Sequence, residues 1–460
     1  MGPIVSRFRR GSARKPGAAA IIGNTPMLDL SRLSKTPGVK ILAKAEYLNP
    51  SGSIKDRIAQ HIIDCAERDG KIKPGDTLVA STSGNTGAAV ACIAAIRGYG
   101  YIAITNAKCS QEKRDSMAAY GGRLIVAKDG LPADHPEHYV NLEATLCARH
   151  DDYFPVNQYE NPDNPDAYYR TLGPEIWRQT SGRVTHFIAG GSTGGTVSGT
   201  GKFLKEKSRG RVKVLMPDPV GSVMYGAYHA GEGKPIERGV LAAGKYAVEG
   251  VGKDSVPGTM NFGVVDAMLS VTDKQCFDMC LRMSREEGLL TGGSSGLNMH
   301  AAVELSGRCA PGAVIVVVLP DSGIKYLSKI YSPEWRRSKG FEEDEASANA
   351  NGDAPNDRGS VTSAPAGAGN AEGARGEETN GGGMGGGGMG GGVSDPQAEV
   401  NVERVAAALG MERVSSALGL ARPGSPTPSL EALTELTDGG SVEGGVDDKL
   451  VDAQVEQVAT

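Results

Sequence analysis

In the run NPSGSIKDRIAQHIIDCAERDG, Asn49 to Gly70, the residue with chemical potential is a lysine. Ile54, Ile58, Ile62 and Cys65 recur at helical spacing, which predicts an amphipathic helix over 56–69. Ser53 is placed to cap it, with Asp56 as the reciprocal partner. Lys55 then falls in the first turn, where the positive end of the helix macrodipole disfavours an ammonium by about 0.3–1 kcal/mol. That bias favours the neutral amine, the form that attacks electrophiles and takes up protons.

Three loops could serve such an amine. STSGNTG (81–87), GGSTGGTVSG (190–199) and TGGSSG (291–296) are each read as following a strand and opening a helix. Loops of this kind offer backbone N–H groups and hydroxyls at a helix N-terminus, where anions bind. Taken singly, a Gly/Ser turn is more often just a turn. No GxxxxGK[ST] run is present, and GGSTGGT does not keep the GxGxxG spacing, so neither nucleotide fingerprint applies.

The elements that must position these loops alternate. Apolar runs at ILAKAE (41–46), TLVAS (77–81), YIAIT (101–105), RLIVA (123–127), HFIAG (186–190), VKVLM (212–216) and AVIVVVL (313–319) read as buried parallel strands, most of them followed by helical patterns. This is an α/β fold with parallel sheet, and about 320 residues suffice for two lobes. Residues 1–19 form a basic lead-in that hints at a targeting segment, and MGPIVS fits a loose myristoylation pattern. A catalytic domain is expected over 20–341, a Gly-rich disordered linker over 342–396, and a tail over 397–460 with the repeat VERVAAALG and MERVSSALG.

Other classes are disfavoured. A net charge of −5 is too mild to argue for nucleic acid, and no apolar run approaches the roughly 20 residues of a membrane span. The seven cysteines make no CxxC pair, which suggests reduced thiols in a cytoplasmic setting. The seven histidines form no HExxH and no Cys/His cluster; His135 and His138 alone sit close, and no metal site is expected.

The combination of IGNTPMLDL, NPSGSIKDR, TSGNTG, NPDAYYRTLGPEIW, STGGTVSGTGKFLKE, VEGVGKD, EEGLLTGGSSG and LPDSGIKYLS, in that order, resembles the fold-type II pyridoxal-phosphate enzymes, in the branch of cystathionine β-synthase and cysteine synthase. The resemblance covers residues 22–341 and implies a two-lobed, tryptophan synthase β-like architecture with parallel-rich sheets. It implies pyridoxal 5'-phosphate as cofactor, amino-acid and thiol substrates, and a homodimer. Lys55 would hold the cofactor through a Schiff base and then act as general base at Cα. Asn85 would meet the ring hydroxyl oxygen. Thr82, Ser83 and Thr86 would bind the substrate carboxylate, with Gln158 nearby. Ser192, Thr193, Gly194, Gly195 and Thr196 would hold the phosphate, Ser192 standing where the family usually has Gly. Ser294 would donate to the pyridine nitrogen, making a weak electron sink suited to β-elimination rather than transamination.

Two β-replacements fit. Tyr169 matches a tyrosine that cystathionine β-synthase uses near the hydroxyl of serine, and VEGVG and LPDSGIKYLSKIYSPEW also look more like that enzyme. GPEIW is shared with cysteine synthases, which use O-acetylserine and sulfide, and Lys253 replaces a tyrosine common in the animal cystathionine β-synthase. No Cys precedes Cys65 and no His precedes His61, so the haem segment of that animal enzyme is not expected. The tail does not read as paired adenosyl-binding modules. An inactive scaffold is the remaining alternative, and the intact Lys55, Asn85 and Ser294 argue against it.

Overall fold

Each of the seven apolar runs becomes a strand, and three short strands join them. The computed structural model describes residues 17–342, apart from 83, 106–108, 128–134, 136–138 and 232–242. Most of the lead-in, the expected linker and the tail therefore lie outside the described residues, as do Ser83 and His138.

The strands in chain order are β1 (Met27–Asp29), β2 (Lys40–Ala45), β3 (Thr77–Ser81), β4 (Gly100–Thr105), β5 (Arg123–Val126), β6 (Tyr153–Pro155), β7 (His186–Ile188), β8 (Lys213–Pro219), β9 (Ala267–Val271) and β10 (Val314–Leu319). The helices are α1 (Lys55–Arg68), α2 (Asn85–Arg97), α3 (Gln111–Ala119), α4 (Tyr139–Arg149), α5 (Asp163–Arg170), α6 (Leu172–Gln179), α7 (Gly195–Ser208), α8 (Val223–Ala230), α9 (Asp273–Glu287), α10 (Gly293–Ser306) and α11 (Pro333–Ser338).

One sheet has the order β5-β4-β3-β6 and is parallel throughout. The other has the order β1-β2-β10-β7-β8-β9, parallel except where β1 pairs antiparallel with β2. Alternation along β3 covers both faces of the small sheet: Leu78 and Ala80 pack with α2, while Val79 packs with Leu142 and Leu146 of α4. In the large sheet Val316 and Val318 of β10 join the core that includes Leu204 of α7, and Ile315 and Val317 join the core under α9 and α10. The first of these cores also contains Leu78 and Ala103, so one apolar mass runs through both lobes.

The start of α1 departs from the expected capping box. The helix begins at Lys55, and the Lys55 amide donates to Ser53 Oγ at 3.3 Å. Asp56 does not reach back to Ser53. Its carboxylate accepts from the Ser51 amide at 2.7 Å and from the Ser51 hydroxyl, because the chain turns tightly through Gly52 at φ +76°. Two residues on, Arg57 is buried between Glu46 (Nε to Oε2, 2.7 Å) and Glu175 (Nη1 to Oε1, 2.8 Å), and Lys44 completes the group at 3.0 Å from Glu175. Burial alone would raise the Glu175 carboxyl, but its bonds to Arg57 outweigh that and hold it at about 2. This ionic knot fixes α1 against β2 and α6, and with it the height of Lys55.

Candidate active site

The carboxyl ends of parallel strands are where such folds bind ligands, and three helix N-termini meet there. β3 leads to α2 with Asn85 as its first residue, and β7 leads through residues 189–194 to α7; the 291–296 loop, expected after a strand, instead follows α9, and α10 opens from it with Gly293 and Ser294. Lys55, Ser192, Thr193, Gly194, Thr196 and Ser294 line one pocket. The amides in the first turn of α7 have no acceptor within the helix, apart from Gly195 N–H, which donates to Thr193 Oγ1 at 3.2 Å. Gly194 sits at φ +77°, and a Cβ there would fall 2.5 Å from Met260 Sδ, so this corner requires glycine. Ser192 does not share that demand: it is absent from the residues with positive φ, so the departure from the usual Gly costs no strain.

Lys55 Nζ makes no hydrogen bond or ion pair among the described residues. Burial lowers its affinity for a proton, the Asp321 carboxylate opposes that, and Lys113 and Lys325 add to the lowering; the amine settles at about 8. The direction is the expected one, and burial together with two neighbouring lysines produces it. Those lysines are committed elsewhere. Lys325 donates to Ser51 O (3.0 Å) and Asn85 Oδ1 (2.9 Å), and Lys113 pairs with Glu249 at 2.9 Å. Lys113 passes where Gly84 leaves room, since a Cβ at 84 would meet its chain at 2.2 Å. Ser294 is 6% exposed and its hydroxyl has no partner among the described residues.

Asn85 is held by Asp321, whose Oδ2 accepts from Asn85 Nδ2 (2.8 Å) and from the Tyr326 hydroxyl (2.6 Å). Asp321, Lys325 and Lys113 are not among the site residues expected from the sequence. The signal for Asp321 was its place directly beyond the most apolar strand, at the carboxyl end where ligands gather. Thr82, Thr86 and Gln158 lie together but face each other. Thr82 Oγ1 accepts from the amides of Gly84 and Gly87, both at 3.0 Å; Thr86 Oγ1 donates to Gln158 Oε1 at 2.6 Å; Gln158 Nε2 donates to Ser81 O at 2.8 Å. Their side chains shape the loop, leaving amides of the first turn of α2 to meet an anion. Gln158 also links the two loops: its carbonyl accepts from Asn164 Nδ2 (2.7 Å), and Asn164 packs where a Cβ on Gly195 would fall.

Tyr169 does not join them. Its hydroxyl donates to Glu206 Oε2 at 2.6 Å on the outer side of α7, its ring meets Phe203 edge-on, and it lines a different cavity. The neighbouring Tyr168 is the one that turns inward, 1% exposed in the core. Tyr169→Phe is accordingly expected to change turnover by less than about threefold, in line with an exposed hydrogen bond, as steady-state rates will read; a loss of a hundredfold would return Tyr169 to the chemistry.

An unpartnered lysine between an anion cradle and a buried, unpartnered hydroxyl, at the carboxyl ends of parallel strands, defines a site for a phosphate-bearing cofactor that bonds an amine. The family model "Pyridoxal-phosphate dependent enzyme" matches residues 19–321, and the chain belongs to that family. It is 39% identical over 328 residues to the cystathionine beta-synthase of Rattus norvegicus, covering 71% of this chain and 57% of that protein. It is 37% identical over 327 residues to cysteine synthase 1 of Emericella nidulans, covering 71% and 87%. Among solved structures, O-ureido-L-serine synthase superposes with a TM-score of 0.61 at 31% identity, covering 72% of this chain and 98% of that one. The match spans 57–66% of the length of the cystathionine β-synthases it resembles in Apis mellifera and Rattus norvegicus. Pyridoxal phosphate fits the residues present: amides at the head of α7 suit its phosphate, and the Ser294 hydroxyl and the Lys55 amine, both lining the pocket, have no partner among the described residues.

Proposed function

We propose that this chain carries out a β-replacement on L-serine with homocysteine, giving cystathionine and water. The observation that carries the reaction class is the Lys55 amine, unpaired and brought to about 8, in one pocket with the α7 cradle and Ser294. When bound, pyridoxal phosphate supplies the electron sink that makes Cα acidic and lets a β-substituent leave. Ser192 to Thr196 hold its phosphate, Asn85 its ring oxygen, and the Ser294 hydroxyl donates to its ring nitrogen. Lys55 takes the Cα proton. Hydroxide is a poor leaving group, and an amine near 8 is poised both to accept that proton and to return one to the departing oxygen. The thiol then adds at Cβ; a C–O bond has been exchanged for a C–S bond, and the thiol proton replaces the one drawn from Cα.

Relatives named cystathionine beta-synthase at 36–39% identity support serine and homocysteine. Cysteine synthase, using O-acetylserine and sulfide, is the second reading. Tyr169 turned outward favours it, as does coverage of 85–87% of the fungal cysteine synthases. The test offers the protein serine, O-acetylserine, homocysteine and sulfide together and identifies products by mass. Cystathionine in excess is expected; cysteine in excess would transfer the chain to the second reading.

A further inference from the structure

The crossing of α1 and α5 brings together four side chains that the site does not use. His61 and Cys65 stand one turn apart on α1, and Asp163 and Asp166 stand in the first turn of α5. His61 Nε2 lies 2.9 Å from Asp166 Oδ2 and 3.6 Å from Cys65 Sγ. The ligand atoms of His61, Cys65 and Asp163 all lie within 4.8 Å of one another, the one such group of three among the described residues. The sequence reading found no Cys/His cluster because half of the set arrives from a distant helix.

We propose that His61, Cys65, Asp163 and Asp166 form a tetrahedral binding site for zinc. With Zn–N near 2.0–2.1 Å and Zn–S near 2.3 Å, adjacent donors in a tetrahedron lie roughly 3.3–3.7 Å apart. The His61–Cys65 separation already has that value; Asp166 touches His61 but stands outside the group of three that lies within 4.8 Å, so its carboxylate must swing toward Cys65 and Asp163 to complete the tetrahedron. The donor set, one imidazole, one thiol and two carboxylates, is a borderline-soft mixture that selects zinc over magnesium or calcium. Zinc binding displaces the thiol proton to solvent. The resulting thiolate and two carboxylates leave one negative charge in excess of the ion. Two arginines face that excess: Arg170 Nε donates to Asp166 Oδ2 at 2.5 Å, and Arg68 interacts with Cys65. Cys65 is 3% exposed, while Asp163 and Asp166 also line a cavity of about 610 Å³ that gives the ion a path in. Since α1 carries Lys55 at its head and α5 packs on α7, zinc here would staple the lysine helix to the phosphate helix without touching the reacting atoms.

The full chain, with pyridoxal phosphate bound, is stripped with chelator, reloaded with ZnCl₂, dialysed and assayed for metal. One zinc per chain is expected, together with a higher melting temperature and, after Co²⁺ substitution, the charge-transfer band of a thiolate ligand. Cys65→Ser and His61→Ala should each lower zinc retention by about tenfold or more and remove the melting shift, whereas Cys147→Ser should do neither. Asp163→Asn serves as a third probe should Cys65→Ser fold poorly. No retained zinc in the parent chain, or equal retention in Cys65→Ser and His61→Ala, would overturn the proposal.

Discussion

Lys55→Ala is expected to lose turnover by at least about 10³-fold, because nucleophile and general base vanish together. The fold should survive. Lys55 Nζ makes no hydrogen bond or ion pair among the described residues, so its removal breaks no polar contact, and an ammonium that burial disfavours is gone. The same amine sets a pH dependence. Its proton affinity is lowered from 10.5 to about 8 in the folded protein. Below pH 8 the neutral fraction falls about tenfold per pH unit, so cofactor uptake by the stripped protein should slow correspondingly on the acid side and level off above 8. The unfolded chain keeps its proton up to 10.5, so between pH 8 and 10.5 the parent protein gains stability relative to Lys55→Ala as pH rises. Stopped-flow absorbance and urea titration measure these two trends. A variant that retains full turnover would refute the assignment of Lys55.

Arg57→Ala carries the largest expected cost in stability. Arg57 is 3% exposed, and its guanidinium donates two bonds to Glu46 and two to Glu175. Deleting it strands two buried carboxylates, of which only Glu175 keeps a direct ion pair, with Lys44 at 3.0 Å. Removing one partner of a buried ion pair costs about 3–5 kcal/mol. The loss should appear as a lower urea midpoint with a similar slope, and cofactor affinity should fall with it, since Arg57 stands half a turn from Lys55. Replacing the whole knot by apolar residues of similar volume should cost far less than the single truncation. A loss below about 1 kcal/mol for Arg57→Ala would mean that the knot does not hold α1 in place.

Which parts were legible follows from the range of the forces involved. Long buried strands announce themselves: VIVVVL is apolar at every position because helices cover both faces of β10. β1 and β6 have three residues each, too few to establish a period. The phosphate loop and Lys55 were visible because local backbone chemistry makes them. The cause of the lysine's low proton affinity was not, because it comes from burial in the assembled fold and from Lys113 and Lys325 reaching it from other elements. The choice between Tyr168 and Tyr169 shows the limit most clearly. Neighbours on a helix point about 100° apart, from 3.6 residues per turn, so a motif containing both does not say which ring enters the core. Packing of α5 on α7 settles it for Tyr168, and Tyr169 is left with Glu206. In the same way Asp56 was within reach of two serines, and the turn at Gly52 selected Ser51.

Lys113 and Lys325 stand near Lys55, and the account rests on Lys55 being the one that bonds the cofactor. The direct measurement is borohydride reduction of the protein loaded with pyridoxal phosphate, then proteolysis and mass mapping of the labelled peptide. The account predicts a single phosphopyridoxyl group on Lys55, in the segment SGSIKDR. A label on Lys113 or Lys325, or no label at all, would contradict it.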